Sequence, residues 1–568
     1  MTGTPTYLDL GGEDVYAVVH LPDGQSSSTG VLQLSPYGWD DLTSYRSRRA
    51  WALRLEAAGH PVLRFDWPGT GDSPGDPGDT DRLAAWRRAT VAAARLLRDD
   101  LGCSRVAAVG IGIGGLIASL EGAELDDLVL WGTSARGAAS VRELRATAAL
   151  HGIDGQPVVD DDGVLWVNGH PLPPGLAAEL STVELASIAT PTGGRALLLG
   201  RDGRPPDARL EAALRSGDRA VETADGVGWS DLLADPQFSR SPTTTADLVA
   251  SWLAAGATGQ RAQRDVIVPG RTHVDLGSGI HESVLTLAVP GGPLSAIRTD
   301  PVNEPAGLFV VLLNGGALRR IGPNRMYVDA ARRWAAAGIG TVRVDLPGTG
   351  DSAGPDHWLP GDEVFYTAEM EAAMTATLDA LAAQQPGSPL VAAGLCSGAY
   401  WSFVAAAQHE RVTGAVLLNP RVLVWSPRQR ADESSRELSK LRSAETWRNV
   451  LRGGSSFGKA ARVAAAAARR AGGRLTDRLR RRPAAGELGV AADRLSSAGA
   501  EVLLVLTPGE PLRARLGTDP GLAALLVTPG VGRLLPDGPT DAHTMAPPDL
   551  RRGVERAVDE WLLARRPR

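Results

Sequence analysis

Residues 30–75 read GVLQLSPYGWDDLTSYRSRRAWALRLEAAGHPVLRFDWPGTGDSPG, and residues 307–354 read GLFVVLLNGGALRRIGPNRMYVDAARRWAAAGIGTVRVDLPGTGDSAG. The two stretches share one order of parts. An apolar run leads into a loop containing glycine, then an Arg-bearing amphipathic helix that ends at Ala-Gly, a second apolar run, and the turn Asp-x-Pro-Gly-Thr-Gly-Asp-Ser. Asp66 and Asp345 open the two turns, 279 positions apart. Further on, VAAVGIGIGG (106–115) answers LVAAGLCSGA (390–399), with Gly112 and Cys396 284 positions apart. Two matched blocks at nearly one offset make the chain an internal duplication. Within each copy, short Val/Leu/Ile-rich runs alternate with helical periodicity, which predicts an α/β class with a mostly parallel sheet flanked by helices.

The whole chain fits that reading. Its 568 residues exceed what one hydrophobic core fills, so two large domains are expected, 1–262 and 263–568, with the boundary in the polar stretch Ala257–Asp265. The second copy opens with a hairpin pattern, VDLGSGIHESVLTLAVPGG (274–292), and each copy carries an insertion of the kind that caps a site, Arg136–Ser187 and about 421–497. Lys+Arg 59 against Asp+Glu 65 leaves a net charge of −6, which speaks against a general nucleic-acid binder. With two cysteines, Cys103 and Cys396, neither a disulfide scaffold nor a cysteine zinc site is expected, and the sequence suggests no cofactor. The first residues lack a signal-peptide pattern and no apolar run reaches membrane-spanning length, so a cytoplasmic protein with no membrane partner is expected.

The chemistry is predicted in the second copy. A Gly-x-nucleophile-x-Gly turn between strand and helix holds its central residue strained and exposed, and the residues two before and two after it must be small. Gly394-Leu395-Cys396-Ser397-Gly398 meets this rule with Cys396 as nucleophile; Ser397 in that role would put Leu395 where a small residue is needed. The N–H of Ser397 and that of Gly316, in the loop Asn314–Ala317, are the expected oxyanion donors. After the run EVLLVL comes Glu510, expected as the acid, with Asp541 and Asp519 as rivals; His543, in the last loop, is the expected base. The first copy has Gly112 at the nucleophile position and no histidine after Asp202 before the boundary. It is expected to be a degenerate half serving packing, substrate binding or dimerisation.

Elbow, acid and late histidine together resemble the α/β-hydrolase superfamily over most of the chain, as tandem domains. The stretch GGALRRIGPNRMYVDAARRWAAAGIGTVRVDLPGTGDSAG is similar to hydrolases associated with exosortase systems, but has cysteine at position 396. A cysteine in that frame resembles dienelactone hydrolases, polyhydroxyalkanoate synthases and the aminoacyl-shuttling enzymes of nonribosomal peptide assembly. The resemblance implies a covalent thioester on Cys396. The expected function is acyl transfer from a carrier-protein or CoA thioester to an acceptor in natural-product biosynthesis. The alternatives are a cysteine-dependent hydrolase of an ester, thioester or lactone, and a non-catalytic scaffold. Between Arg448 and Arg482 eleven basic residues accompany one acid, Asp477, a surface suited to an acidic carrier protein.

Overall fold

The computed structural model describes residues 3–24, 26–152, 155–185, 194–256, 259, 268–301, 307–354, 365–423, 487–515, 522 and 543–565. Two sheets dominate. The first runs β1-β2-β4-β3-β5-β6-β10-β11, built from Thr4–Asp9, Asp14–His20, Val62–Phe65, Thr29–Leu34, Arg105–Ile111, Asp127–Trp131, Arg195–Leu199 and Ala220–Ala224 in that spatial order. Strands β1, β2 and β4 pair antiparallel, and every pairing from β4 onward is parallel. The second sheet runs β12-β13-β14-β16-β15-β17-β18-β19 (His273–Asp275, His281–Leu287, Leu294–Asp300, Gly340–Val344, Phe309–Leu313, Leu390–Leu395, Val412–Leu418, Glu501–Val505). It repeats the same change from antiparallel to parallel. The parallel strands are buried on both faces, which is why they read as unbroken apolar runs. The first insertion folds as helices Gly137–Leu150 and Pro174–Thr182 around a small antiparallel sheet, β7 (Val158–Val159), β8 (Leu165–Val167) and β9 (His170–Leu172). Most of the expected boundary, and the second insertion from 424 through the basic stretch to 486, lie outside the described residues. Among the described residues no helix is long and apolar enough to cross a membrane.

The Asp-x-Pro-Gly-Thr-Gly-Asp-Ser turns do more than reverse the chain. In the first, the Asp66 carboxylate accepts the N–H of Asp72 at 2.8 Å, and Ser73 ties the turn back to Asp66 and to β2 at Tyr16. In the second, Asp345, Asp351, Ser352 and Ser295 repeat these bonds. A Cβ on Gly350 would lie 2.0 Å from the Asp345 carboxylate, which is why the position is glycine.

These turns face each other across the junction of the halves. Arg64 of the first half donates to Asp351 at 2.9 Å, and Arg343 of the second donates to Asp72 at 2.8 Å. The pairs are reciprocal, because residues 64 and 343, and 72 and 351, are counterparts in the duplication. Arg319 binds Asp66 through both terminal nitrogens at 3.0 Å, and Arg320 reaches Asp72 at 3.0 Å while also pairing with Asp345. Tyr16 and Tyr45 donate to Asp351 at 2.9 and 2.7 Å. All of these charged groups are buried. Burial would raise the Asp351 carboxyl, but Arg64 and Arg320 outweigh it and hold the group far below the usual carboxylate range. Beside the network, Leu42 of the first half packs with Leu318, Ile321 and Val328 of the second, and β1 bridges to the second half at Tyr7–Arg271.

Candidate functional site

Strand β17 ends at Leu395 and the helix Ser397–Gln408 begins two residues later, so Cys396 is the whole connection. Its backbone takes φ +58° and ψ −114°, a strained conformation for a residue with a side chain. The flanking glycines are required by packing. A Cβ on Gly398 would come within 2.4 Å of the carbonyls of Leu313 and Asn314, and one on Gly394 within 2.4 Å of Gly398. The Cys396 N–H donates to Leu418 O at 2.9 Å, and the buried Tyr327 hydroxyl accepts the N–H of Leu395 at 2.8 Å while donating to Leu313 O. The elbow is therefore tied to the ends of both neighbouring strands.

His543 and Glu510 arrive from opposite ends of the C-terminal segment. Nδ1 of His543 lies 2.8 Å from Oε1 of the buried Glu510, which leaves the other ring nitrogen for Cys396. Burial alone would depress the imidazole. The charge of Cys396 and its hydrogen bond, followed by Glu510, outweigh that and raise His543 to about 9. An imidazole held protonated in this way favours ionisation of a neighbouring thiol. Asp541 and Asp519 lie outside the described residues. Gly316, at φ +55°, donates its N–H to the Ser397 Oγ at 2.7 Å, so the two residues named as oxyanion donors are already in contact. The Ser397 N–H is at the first turn of the elbow helix, where no intrahelical partner exists.

Three positioning residues escape sequence reading. Asn419, buried at φ +45° just after β18, exchanges hydrogen bonds with Thr507 and donates to His543 O at 3.0 Å. Asn324 donates to Thr544 O at 3.0 Å. Asn314 donates to Leu318 O at 2.7 Å and accepts the N–H of Leu346 at 2.6 Å, fixing the loop that carries Gly316 to the Asp345 turn. An asparagine in a connecting loop carries no pattern that marks it; only the convergence of strand ends gives it work.

The cavity at Cys396 measures about 310 Å³. Part of its lining comes from the second half: the Gly315–Leu318 loop, Phe365, Tyr366, Arg421 and His543. Trp401 donates to Phe365 O at 2.9 Å and so fixes this aromatic wall to the elbow helix. The rest comes from the first half, including Trp39, His151, Asn168, Asp235 and Gln237. The first half keeps an elbow of its own, with Gly112 at φ +56° and ψ −117°, nearly the backbone of Cys396. Where Asn419 stands in the second half, the first has Gly132, and a Cβ there would meet the Trp229 ring at 2.4 Å. Asp202 accepts the N–H groups of Gly228, Trp229 and Ser230, capping the helix Trp229–Leu232.

Two family models match, one in each half: residues 19–282 match the model described as alpha/beta hydrolase family, and residues 310–469 match that described as serine aminopeptidase, S33. Both halves have the α/β-hydrolase fold. Solved structures similar to this chain include Est1E from Butyrivibrio proteoclasticus (16% identity, 44% of this chain and 98% of that one, TM-score 0.31). An alpha-beta serine hydrolase homologue from Coxiella burnetii (15%, 45% and 98%, TM-score 0.28) and a dienelactone hydrolase from Anabaena variabilis (14%, 50% and 98%, TM-score 0.31) are also similar. No curated protein matches the chain significantly.

Proposed function

We propose that the second half transfers acyl groups through a thioester on Cys396. The observation that carries this reading is a strained cysteine on a nucleophile elbow, beside a histidine whose other nitrogen is held by a buried glutamate. The thiolate attacks the carbonyl carbon of an acyl thioester, and the oxyanion is held by the N–H groups of Ser397 and Gly316. The Gly316 N–H joins only as it turns from the Ser397 Oγ, which it meets at 2.7 Å in the free protein. As the intermediate collapses, the donor's C–S bond breaks and its sulfur leaves with the proton from His543. The acceptor then attacks the enzyme thioester, His543 takes the acceptor's proton, and the Cys396 sulfur departs. A thiol suits exchange with a thioester donor, since the two sulfurs are similar leaving groups. A carrier-protein or CoA donor from natural-product biosynthesis, with docking on the basic stretch 448–482, belongs to the same proposal.

Hydrolysis is the second reading, favoured by the hydrolase and aminopeptidase descriptions of the matching families. It uses the same residues with water as acceptor. Intact-mass measurement with a panel of acyl thioesters separates the two. An adduct lost in Cys396→Ala and discharged by an added amine, alcohol or thiol supports transfer, and rapid discharge by water alone supports hydrolysis. Absence of any adduct from a chain whose thiol still alkylates overturns the covalent mechanism and leaves a binding scaffold.

A further inference from the structure

The catalytic chemistry proposed for Cys396 uses nothing from the first half, yet that half reaches the cavity from four separate segments, one of them Trp39 at the start of the helix Trp39–Ala57. His151 ends the helix Gly137–Leu150, Asn168 forms the turn between β8 and β9 at φ +48°, and Asp235 and Gln237 follow the helix Trp229–Leu232. Each segment is anchored. The β8–β9 turn is seated on the second half, since a Cβ on Gly169 would lie 2.4 Å from the Asn324 side chain. The Asp235 carbonyl accepts the N–H groups of Phe238 and Ser239 at 2.7 and 2.9 Å, and Ser239 Oγ donates to Pro236 O at 3.1 Å. This is a built wall rather than a passing loop.

The wall has a sign. Asp235, an exposed side chain, is the single carboxylate among the described residues lining this cavity; on the second half Arg421 is cationic, and His543 is paired with the buried Glu510. Partial burial lowers the His151 imidazole below its usual value against the pull of Asp235, so near neutral pH it offers hydrogen bonds and leaves the carboxylate's charge uncancelled. The helix N-terminus at Ser397 points a partial positive charge at the place where a carbonyl oxygen would lie. A ligand lying in this cavity therefore meets an uncancelled negative charge on the first-half wall.

We propose that the first half is the selecting wall of the Cys396 cavity, and that Asp235, with His151, Asn168 and Gln237, forms a subsite for a protonated amine. The bound molecule, acyl donor or acceptor, carries its carbonyl end toward Cys396 and its ammonium toward Asp235. The assignment of that molecule as donor or acceptor rests on the acyl-transfer reading; the subsite itself rests on the cavity.

Charged thiol reagents test the subsite without any acyl chemistry. On the full chain, Cys396 is modified by 2-aminoethyl and by 2-sulfonatoethyl methanethiosulfonate: the thiolate forms a mixed disulfide and methanesulfinate leaves. Rates are read by mass spectrometry of the Cys396 peptide. The ratio of cationic to anionic rates is expected to fall about tenfold in Asp235→Asn, the effect of removing one nearby charge at a partly solvated site, and to fall further in Asp235→Lys. Asp99→Asn, an acid of the first half that does not line this cavity, leaves the ratio unchanged. A ratio that stays within twofold of the parent in both Asp235 variants overturns the subsite. A chain that shows the charge effect but accepts no acyl thioester overturns the acyl-transfer reading alone.

Discussion

At residue 396 a non-glycine side chain occupies a backbone conformation that the first half gives to Gly112, so the strain is retained only where a side chain is to be presented. Ser397→Ala is expected to leave Cys396 acylation and alkylation intact and to release the Gly316 N–H for the oxyanion; complete loss of adduct would make Ser397 the nucleophile instead. The pH behaviour follows from His543. Its folded value, about 9, lies above the ordinary 6.5. Its contribution to stability is therefore fully present below about pH 6.5 and is lost as pH rises through about 9. Burial opposes this shift, and Cys396 is the largest influence raising it. In Cys396→Ala the ring is expected to titrate lower, which NMR of the imidazole reads directly, and the fall in Tm between pH 6 and pH 10 should shrink.

At the scale of elements, the loops after the strands decide what each half can do. Asn419→Ala removes the bonds that hold the His543 carbonyl and Thr507 together. Turnover is expected to drop tenfold or more while Cys396 still alkylates, with about 1–3 kcal/mol of stability lost for the buried groups left unpaired. In the first half, where no histidine follows it before the boundary, Asp202 caps the short helix that leads to Asp235. Asp202→Ala should cost about 1 kcal/mol and shift the charge ratio at Cys396 in the direction of Asp235→Asn, by less. The duplication, the alternation of strand and helix, and the glycine frame around Cys396 were legible in the sequence because each obeys a local rule. Strand order pointed to Glu510, with Asp541 and Asp519 as rivals, and Glu510 lies 2.8 Å from His543. The asparagines at 314, 324 and 419 were not, and neither was the reach of the first insertion to the other half's cavity, since both depend on contacts between segments distant in the chain.

For the whole molecule the decisive feature is the buried charge between the halves. The glycine-rich turns hold Arg64, Arg319, Arg320 and Arg343 across the junction through their aspartates. Removing one partner leaves a buried charge uncompensated, so Asp72→Asn and Asp351→Asn are each expected to cost about 3–5 kcal/mol, seen as one transition at lower Tm rather than the loss of one half. The loop bearing Gly316 runs straight into Arg319 and Arg320, so these variants should also slow acylation. The reciprocal pairs have the form of a two-fold contact between identical subunits. Yet Asp41 and Arg320 are counterparts of opposite sign, and Tyr45 answers Asn324. In a dimer of identical chains every change beside the axis is made twice, and two copies of Arg320 would crowd the same carboxylates. Joined in one polypeptide, each copy can change alone: one can give up its nucleophile and still shape the cavity in which the other's thiol lies.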